Sequence, residues 1–120
     1  MAKILVIDNS DQLLDMLTLM FRLNGHEIET AKGIVDTVKS IKYFSPDIIL
    51  LDAGLGHNSG KELCKEIKKL HPTIPIILMC EHPDLLNGCD ECKANDVIEK
   101  PFDIYVLKSK VNQLLVFKHA

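Results

Sequence analysis

Two aspartates and a lysine lie far apart in the sequence, and each follows closely after a short apolar run. Asp8 follows residues 4–7, Asp52 follows residues 48–51, and Lys100 comes shortly after a third run. Carboxylates and an ammonium group suit phosphate chemistry, because one group must accept the phosphoryl group and another must neutralise its charge. If the runs are strands of one parallel sheet, their carboxyl ends gather at one edge. We therefore predict a site at that edge.

The elements that must position these side chains alternate between strand and helix. Continuous runs of isoleucine, leucine and valine are typical of strands that are buried on both faces of a parallel sheet. A run of this kind also leads into Cys80. The predicted strands are residues 3–7, 27–31, 47–51, 75–79 and 96–99.

Five segments show the apolar spacing of amphipathic helices. The first helix is predicted to have Asp11 as its N-cap and to end near Asn24 and Gly25. The residues expected to face the core are Leu13, Leu17, Met20 and Phe21 in the first helix, Ile34, Val38 and Ile41 in the second, Leu63, Ile67 and Leu70 in the third, Leu85, Cys89 and Cys92 in the fourth, and Ile104, Leu107, Val111 and Leu114 in the fifth.

This alternation, with its short connections, predicts one domain over residues 1–120 with an α/β fold. We expect a flavodoxin-like, doubly wound, five-stranded parallel sheet of order 2-1-3-4-5 with five helices. In that order the first and third strands are neighbours, which brings Asp8 and Asp52 side by side.

The composition argues against several classes of protein. The chain has 120 residues, of which 47% are hydrophobic, enough for one core. Its net charge is −3 and its basic residues are scattered, so nothing favours direct nucleic-acid binding by this domain. No apolar window reaches the roughly 18 residues of a membrane span, and no signal peptide is recognisable. With four cysteines expected to be reduced, we predict a cytoplasmic protein without a membrane partner.

In order and spacing, these segments resemble the receiver domain of bacterial two-component response regulators over nearly the whole chain. Residues 3–9 resemble the opening strand and acidic pair of that family. Residues 46–52, followed by Gly60, are similar to its phosphoacceptor strand and loop. Residues 74–79 resemble its fourth strand, and residues 96–102 its last motif. Each segment alone is weak, but their combination is specific.

The resemblance implies that Asp52 accepts a phosphoryl group from a sensor histidine kinase or a phosphotransfer protein. It also implies that Mg²⁺ is bound by Asp8, Asp52 and the backbone carbonyl of Gly54. Lys100 would neutralise the phosphoryl oxygens, and its bond to Pro101 is a candidate cis peptide. A domain of this kind is a signalling switch, and we do not expect it to be an enzyme.

Four residues depart from the family pattern. Asn9 replaces an acid, so it would be a weak Mg²⁺ ligand and would lower affinity by roughly ten- to hundred-fold without abolishing binding. Cys80 stands at the Ser/Thr position, where a thiol is a weak hydrogen-bond donor to the phosphoryl group. Val97 replaces a switching aromatic ring, and Gly56 replaces a common proline. We therefore also consider a phosphorylation-independent pseudo-receiver that acts as a protein-interaction module.

The partner surface and the cysteines leave further interpretations open. By resemblance, the face between the fourth and fifth helices would bind an effector domain or a partner protein, and Tyr105 and Val106 suit such a contact. The residues that could form part of a zinc or redox site are Cys80, His82, Cys89 and Cys92, although helical spacing favours a packing role. A flavin-type cofactor binder on the same fold is disfavoured, because the acidic loop of residues 8–11 would repel a phosphate.

Overall fold

In the computed structural model, the described residues form five parallel strands in the order β2-β1-β3-β4-β5, which confirms the predicted sheet. The structure describes residues 1–55, 60–81 and 93–119, with side chains up to residue 116. The strands are β1 (Lys3–Ile7), β2 (Glu27–Ala31), β3 (Ile48–Asp52), β4 (Ile76–Cys80) and β5 (Asp96–Glu99). Two of them lie one residue later than predicted, so that Asp52 and Cys80 are the last residues of their strands.

The described residues form four helices. These are α1 (Asp11–Leu23), α2 (Ile34–Phe44), α3 (Gly60–Leu70) and α4 (Ile104–His119). The predicted helix at residues 85–92 lies outside the described residues, so α4 is the fifth of the predicted helices. The prediction of Asp11 as the N-cap was wrong by one residue: the Ser10 hydroxyl caps α1 by accepting a hydrogen bond from the Leu13 N–H at 3.2 Å.

Each face of the sheet carries its own hydrophobic cluster, because alternate strand residues point to opposite faces. Helices α2 and α3 cover one face through Ile41, Leu63 and Ile67. Helices α1 and α4 cover the other through residues that include Phe21 and Val111. This sandwich matches the doubly wound arrangement that the sequence predicts. Among the described residues, no helix combines the length and the apolar character needed to cross a membrane.

Three residues that were predicted to face the core are exposed instead, and they lie along the boundary between α2 and α3. Ile34, Val38 and Leu70 are 42%, 58% and 73% exposed. Helix α2 instead turns Thr37, Ser40 and Ile41 towards the sheet. Thr37 can be buried because its hydroxyl donates a hydrogen bond to the Gly33 carbonyl at 2.7 Å, which satisfies the polar group.

Candidate functional site

Strand register brings the predicted site residues to one edge of the sheet. Ile7 of β1 pairs with Leu51 of β3. Asp8 and Asp52, the next residues in the chain, therefore lie side by side at that edge. On the other side of β3, Cys80 of β4 pairs with Glu99, the last residue of β5, and Lys100 is the next residue in the chain. Lys100 therefore starts two strands away from Asp52, and its long side chain spans the end of β4.

The Lys100 ammonium lies between the two carboxylates. Its Nζ is 2.6 Å from Asp8 Oδ2 and 3.5 Å from Asp52 Oδ1. The Asp8 side chain is only 3% exposed, and the side chains of Asp52 and Lys100 are mostly buried. The structure thus brings together the three residues that the sequence singled out, with the tighter contact to Asp8.

Both carboxylate oxygens of Asp8 are engaged. Oδ2 faces Lys100, while Oδ1 accepts a hydrogen bond from the Ser10 N–H at 2.9 Å. The backbone N–H of Asp8 donates to the Ala31 carbonyl at 3.1 Å, which ties the end of β1 to the end of β2. The orientation of Asp8 is therefore fixed by Lys100 and by its own loop.

The contacts of Asp52 are longer than those of Asp8, and both of them reach the same carboxylate oxygen. The Gly54 N–H donates to Asp52 Oδ1 at 3.3 Å, and Lys100 approaches the same oxygen. Among the described residues, no hydrogen-bond donor reaches Oδ2. Within the described residues, Oδ2 is therefore the carboxylate oxygen that could bind a metal ion or another ligand.

The two carboxylates carry more negative charge than one lysine can balance. Burial and the neighbouring Asp8 charge raise the pKa of Asp52, although Lys100 and the Gly54 N–H partly oppose this. Burial alone would lower the pKa of Lys100, but its hydrogen bond to Asp8 and the charges of Asp8 and Asp52 outweigh burial and raise it. A divalent cation would relieve the remaining repulsion.

The donor set of this edge fits Mg²⁺. Asp8 and Asp52 supply two hard carboxylates, and the backbone of Gly54 lies beside Asp52. Mg²⁺ is commonly held by one or two carboxylates, with water and phosphate oxygens completing its shell.

In the parts of the chain that the structure describes, no cluster of three or more His, Cys, Asp or Glu side chains could hold a metal. Of the predicted zinc or redox residues, Cys80 is buried at the end of β4, and the other three lie outside the described residues.

Gly60 is a site requirement that the residue types alone did not reveal. A Cβ built at Gly60 would lie 1.9 Å from the Asp52 carbonyl oxygen, closer than two such atoms can approach. The Gly60 N–H also donates to the Ala53 carbonyl at 2.8 Å, and the Ala53 N–H donates to the Met79 carbonyl at 2.8 Å. Helix α3 can therefore begin directly against the Asp52 backbone only if residue 60 has no side chain.

The remaining predicted residues surround this site in different ways. The Lys100 N–H donates to the Cys80 carbonyl at 2.7 Å, and the Lys100–Pro101 bond is cis, as predicted. Asn9 is exposed on the loop after Asp8. Val97 is partly buried and packs against the cluster under α2 and α3.

Comparison with known proteins identifies the family. The sequence profile of the response regulator receiver domain matches residues 4–112. The chain belongs to this family. The predicted resemblance is thereby confirmed.

Similar proteins extend this assignment. The transcriptional regulatory protein CreB of Escherichia coli (strain K12) is 29% identical over 113 residues, covering 92% of this chain and 49% of CreB. The transcriptional regulatory protein KdpE of Staphylococcus aureus is 31% identical over 113 residues, covering 92% of this chain and 48% of KdpE. The chain thus spans about half the length of these curated relatives.

Solved structures agree with the fold. The receiver domain of NtrX from Brucella abortus is 29% identical, with a TM-score of 0.86 over 93% of this chain and 97% of that one. A CheY-like receiver domain protein from Methanospirillum hungatei superimposes with a TM-score of 0.92 over 99% of this chain and 97% of that one. At 22% identity, the second likeness bears on the fold alone.

Proposed function

We propose that Asp52 accepts a phosphoryl group from a phosphohistidine on a sensor histidine kinase or a phosphotransfer protein. The observation that carries this proposal is the placement of Lys100 Nζ within 2.6 Å of Asp8 and 3.5 Å of Asp52 at the strand edge. Receiver domains are parts of two-component response regulators, which work with sensor kinases and effector domains. In this role the domain is a phosphorylated switch and not an enzyme.

The proposed transfer uses Asp52 Oδ2, the oxygen that no donor among the described residues reaches. Asp52 Oδ2 forms a bond to phosphorus while the phosphorus–nitrogen bond to the donor imidazole breaks, and the bonding electron pair stays on the imidazole nitrogen. Lys100 would neutralise the phosphoryl oxygens, which requires its ammonium to move away from Asp8. Mg²⁺ held by Asp8, Asp52 and the Gly54 carbonyl would supply the further positive charge that a phosphoryl group needs.

The departures from the family pattern support weak metal binding and weak switching. Asn9 adds no charge to the two carboxylates of the site. Cys80 offers only a thiol where a hydroxyl would bind the phosphoryl group. Val97, partly buried against the core, has no ring to report phosphorylation. The competing interpretation is a pseudo-receiver that binds partners without a phosphoryl group.

The partner surface is proposed to include α4. Tyr105 and Val106 are exposed on this helix, as a contact surface for an effector domain or a partner protein requires. The other half of that predicted face, the fourth predicted helix, lies outside the described residues. We also propose that the domain acts in the cytoplasm and does not itself contact nucleic acid.

Intact-mass spectrometry after incubation with Mg²⁺ and acetyl phosphate tests this function. We expect one phosphate adduct, absent when EDTA replaces Mg²⁺ and absent in Asp52→Asn. The matched control is Asp11→Asn, which removes an exposed aspartate that pairs with Lys32, and it should keep the adduct. An unmodified protein at saturating donor would favour the pseudo-receiver, and an adduct that persists in Asp52→Asn would rule out Asp52 as acceptor.

A further inference from the structure

A solvent-open groove lies between α2 and α3, and its lining does not include Asp8, Asp52 or Lys100. Its volume is about 540 Å³. Ile41, Leu63 and Ile67, which pack on the sheet, form its floor. Its walls are Ile34, Val38 and Lys42 from α2, and Glu62, Glu66 and Leu70 from α3.

The groove runs along most of both helices, from Ile34 to Lys42 on α2 and from Glu62 to Leu70 on α3. Both helices have 11 residues, which corresponds to about 16 Å or three turns. Ile34, Val38 and Lys42 recur every fourth residue along one wall, as do Glu62, Glu66 and Leu70 along the other. A long apolar channel with regular walls matches the shape of a helix better than that of a compact small molecule.

Charge is distributed unevenly around this groove. Glu62 and Glu66 stand one turn apart on the groove side of α3. The helical spacing of 100° per residue directs Lys61 and Lys65 to the other side of the same helix. On the α2 wall the only charged residue is Lys42, in the last turn. The α3 wall is therefore acidic along its first two turns.

We propose that this groove docks an amphipathic helix of a partner protein. The apolar residues of that helix, at positions i, i+4 and i+7, would cover Ile34, Val38 and Leu70. Lysine or arginine residues one turn apart on its flank would face Glu62 and Glu66. A second copy of this chain is a poorer occupant, because a two-fold contact would oppose two concave surfaces and leave both floors uncovered. The proposal does not depend on phosphorylation of Asp52.

Two synthetic helical peptides, each locked by a hydrocarbon staple, provide the probe. Both carry the same leucine stripe, but one has a lysine flank and the other a glutamate flank. Titration into the isotopically labelled full chain is followed by amide chemical shifts. We expect shifts along α2 and α3, and about ten-fold tighter binding of the lysine peptide, because it would form two ion pairs of modest strength.

Matched substitutions of one residue type on one helix locate the contact. Val38→Asp, within the groove, should weaken binding of the lysine peptide by at least about ten-fold. Val35→Asp changes a valine that is 67% exposed and does not line the groove, so affinity should stay within about two-fold. Replacing Glu62 and Glu66 together by lysine should reverse the preference, in favour of the glutamate peptide.

Several results would overturn the proposal. Shifts confined to α4, equal affinities for the two peptides, or equal losses in the two valine variants would each exclude this groove as a charge-selective helix site. Sedimentation of the chain alone gives a further check. A dimer that Val38→Asp dissociates and Val35→Asp does not would assign the groove to a second copy, against a partner helix.

Discussion

Two partly buried lysines tie elements together at opposite edges of the sheet, but in different surroundings. At the edge where β4 and β5 begin, Lys68 Nζ donates to the Pro72 carbonyl at 3.1 Å, the Ile74 carbonyl at 2.9 Å and Asn95 Oδ1 at 3.0 Å. At the edge where the strands end, Lys100 faces the carboxylates of Asp8 and Asp52.

The pKa values of the two lysines move in opposite directions. Burial lowers the pKa of Lys68, and the nearby Cys64 only partly opposes this. The two carboxylates raise the pKa of Lys100 in spite of its burial. The three acceptors of Lys68 are neutral, so Lys68 links parts of the structure through satisfied hydrogen bonds. The carboxylates around Lys100 retain uncompensated negative charge, which a divalent cation would balance.

The largest effect is expected for Lys100→Met. This change leaves the Asp8 carboxylate, 3% exposed, without its partner charge, and breaking a buried pair in this way costs about 3 kcal/mol. Chemical denaturation in EDTA at neutral pH measures the loss. Mg²⁺ should restore part of the stability, because a cation can take the place of the ammonium between the carboxylates. A variant as stable as the parent would show that the two aspartates do not depend on Lys100.

Lys68→Met should be less damaging and should not respond to metal. Its contacts with the Pro72 carbonyl and with Asn95 Oδ1 are exposed, so water can replace the ammonium there, and we expect a loss of about 1–2 kcal/mol in the same denaturation experiment. Mg²⁺ should stabilise this variant as much as it stabilises the parent. Loss of the Mg²⁺ response in Lys68→Met would show that the two edges of the sheet are not independent.

Asn9→Asp should strengthen metal binding at the carboxylate edge. One added carboxylate next to Asp8 should increase Mg²⁺ affinity by about ten-fold through a charge-assisted contact to the ion or its water. Calorimetric titration of both proteins measures the ratio. Asp11→Asn, at the start of α1, is the control for a nearby change of charge, and its effect should be within about two-fold. Equal affinities of Asn9→Asp and the parent would place residue 9 outside the metal site.

Asp52→Asn should stabilise the protein by about 1 kcal/mol without divalent cations, because it removes one of two like charges held close together. The folded-state pKa of Asp52 is raised, so the folded protein holds this proton more tightly than the unfolded chain does. Parent stability should therefore fall as pH rises from the ordinary aspartate pKa through the raised one. The advantage of the variant should shrink again on acidification. Denaturation at pH values on both sides of this window checks the sign, and a gain that grows on acidification would contradict it.

Most of the fold and the centre of the site could be predicted from the sequence. The apolar runs before Asp8 and Asp52 mark buried parallel strands, and a parallel sheet of this order has only one edge where their carboxyl ends can gather. Lys100 was found because the motif around it is specific. The comparisons bear out the family and the fold, whereas the roles of the individual site residues remain proposals.

The rest depended on tertiary geometry. The requirement for glycine at residue 60 arises from the distance between a backbone oxygen and a missing Cβ, although its place in the family loop was a signal. Burial of Thr37 rotates α2 and exposes Val38, and apolar spacing could not show this because a hydrogen bond satisfies the threonine. The contact from the Ser10 N–H to Asp8 could have been predicted from the sequence, because an aspartate side chain in a turn often accepts a hydrogen bond from the backbone N–H two residues later.

The residue that carries the phosphoryl group can be identified chemically. After incubation with Mg²⁺ and acetyl phosphate, borohydride reduces an acyl phosphate to an alcohol, which converts the modified aspartate to homoserine. Peptide mass spectrometry then identifies the residue. We expect homoserine at residue 52 in the parent, and unmodified peptides in the sample prepared with EDTA. Homoserine at another aspartate, with residue 52 unchanged, would contradict this expectation.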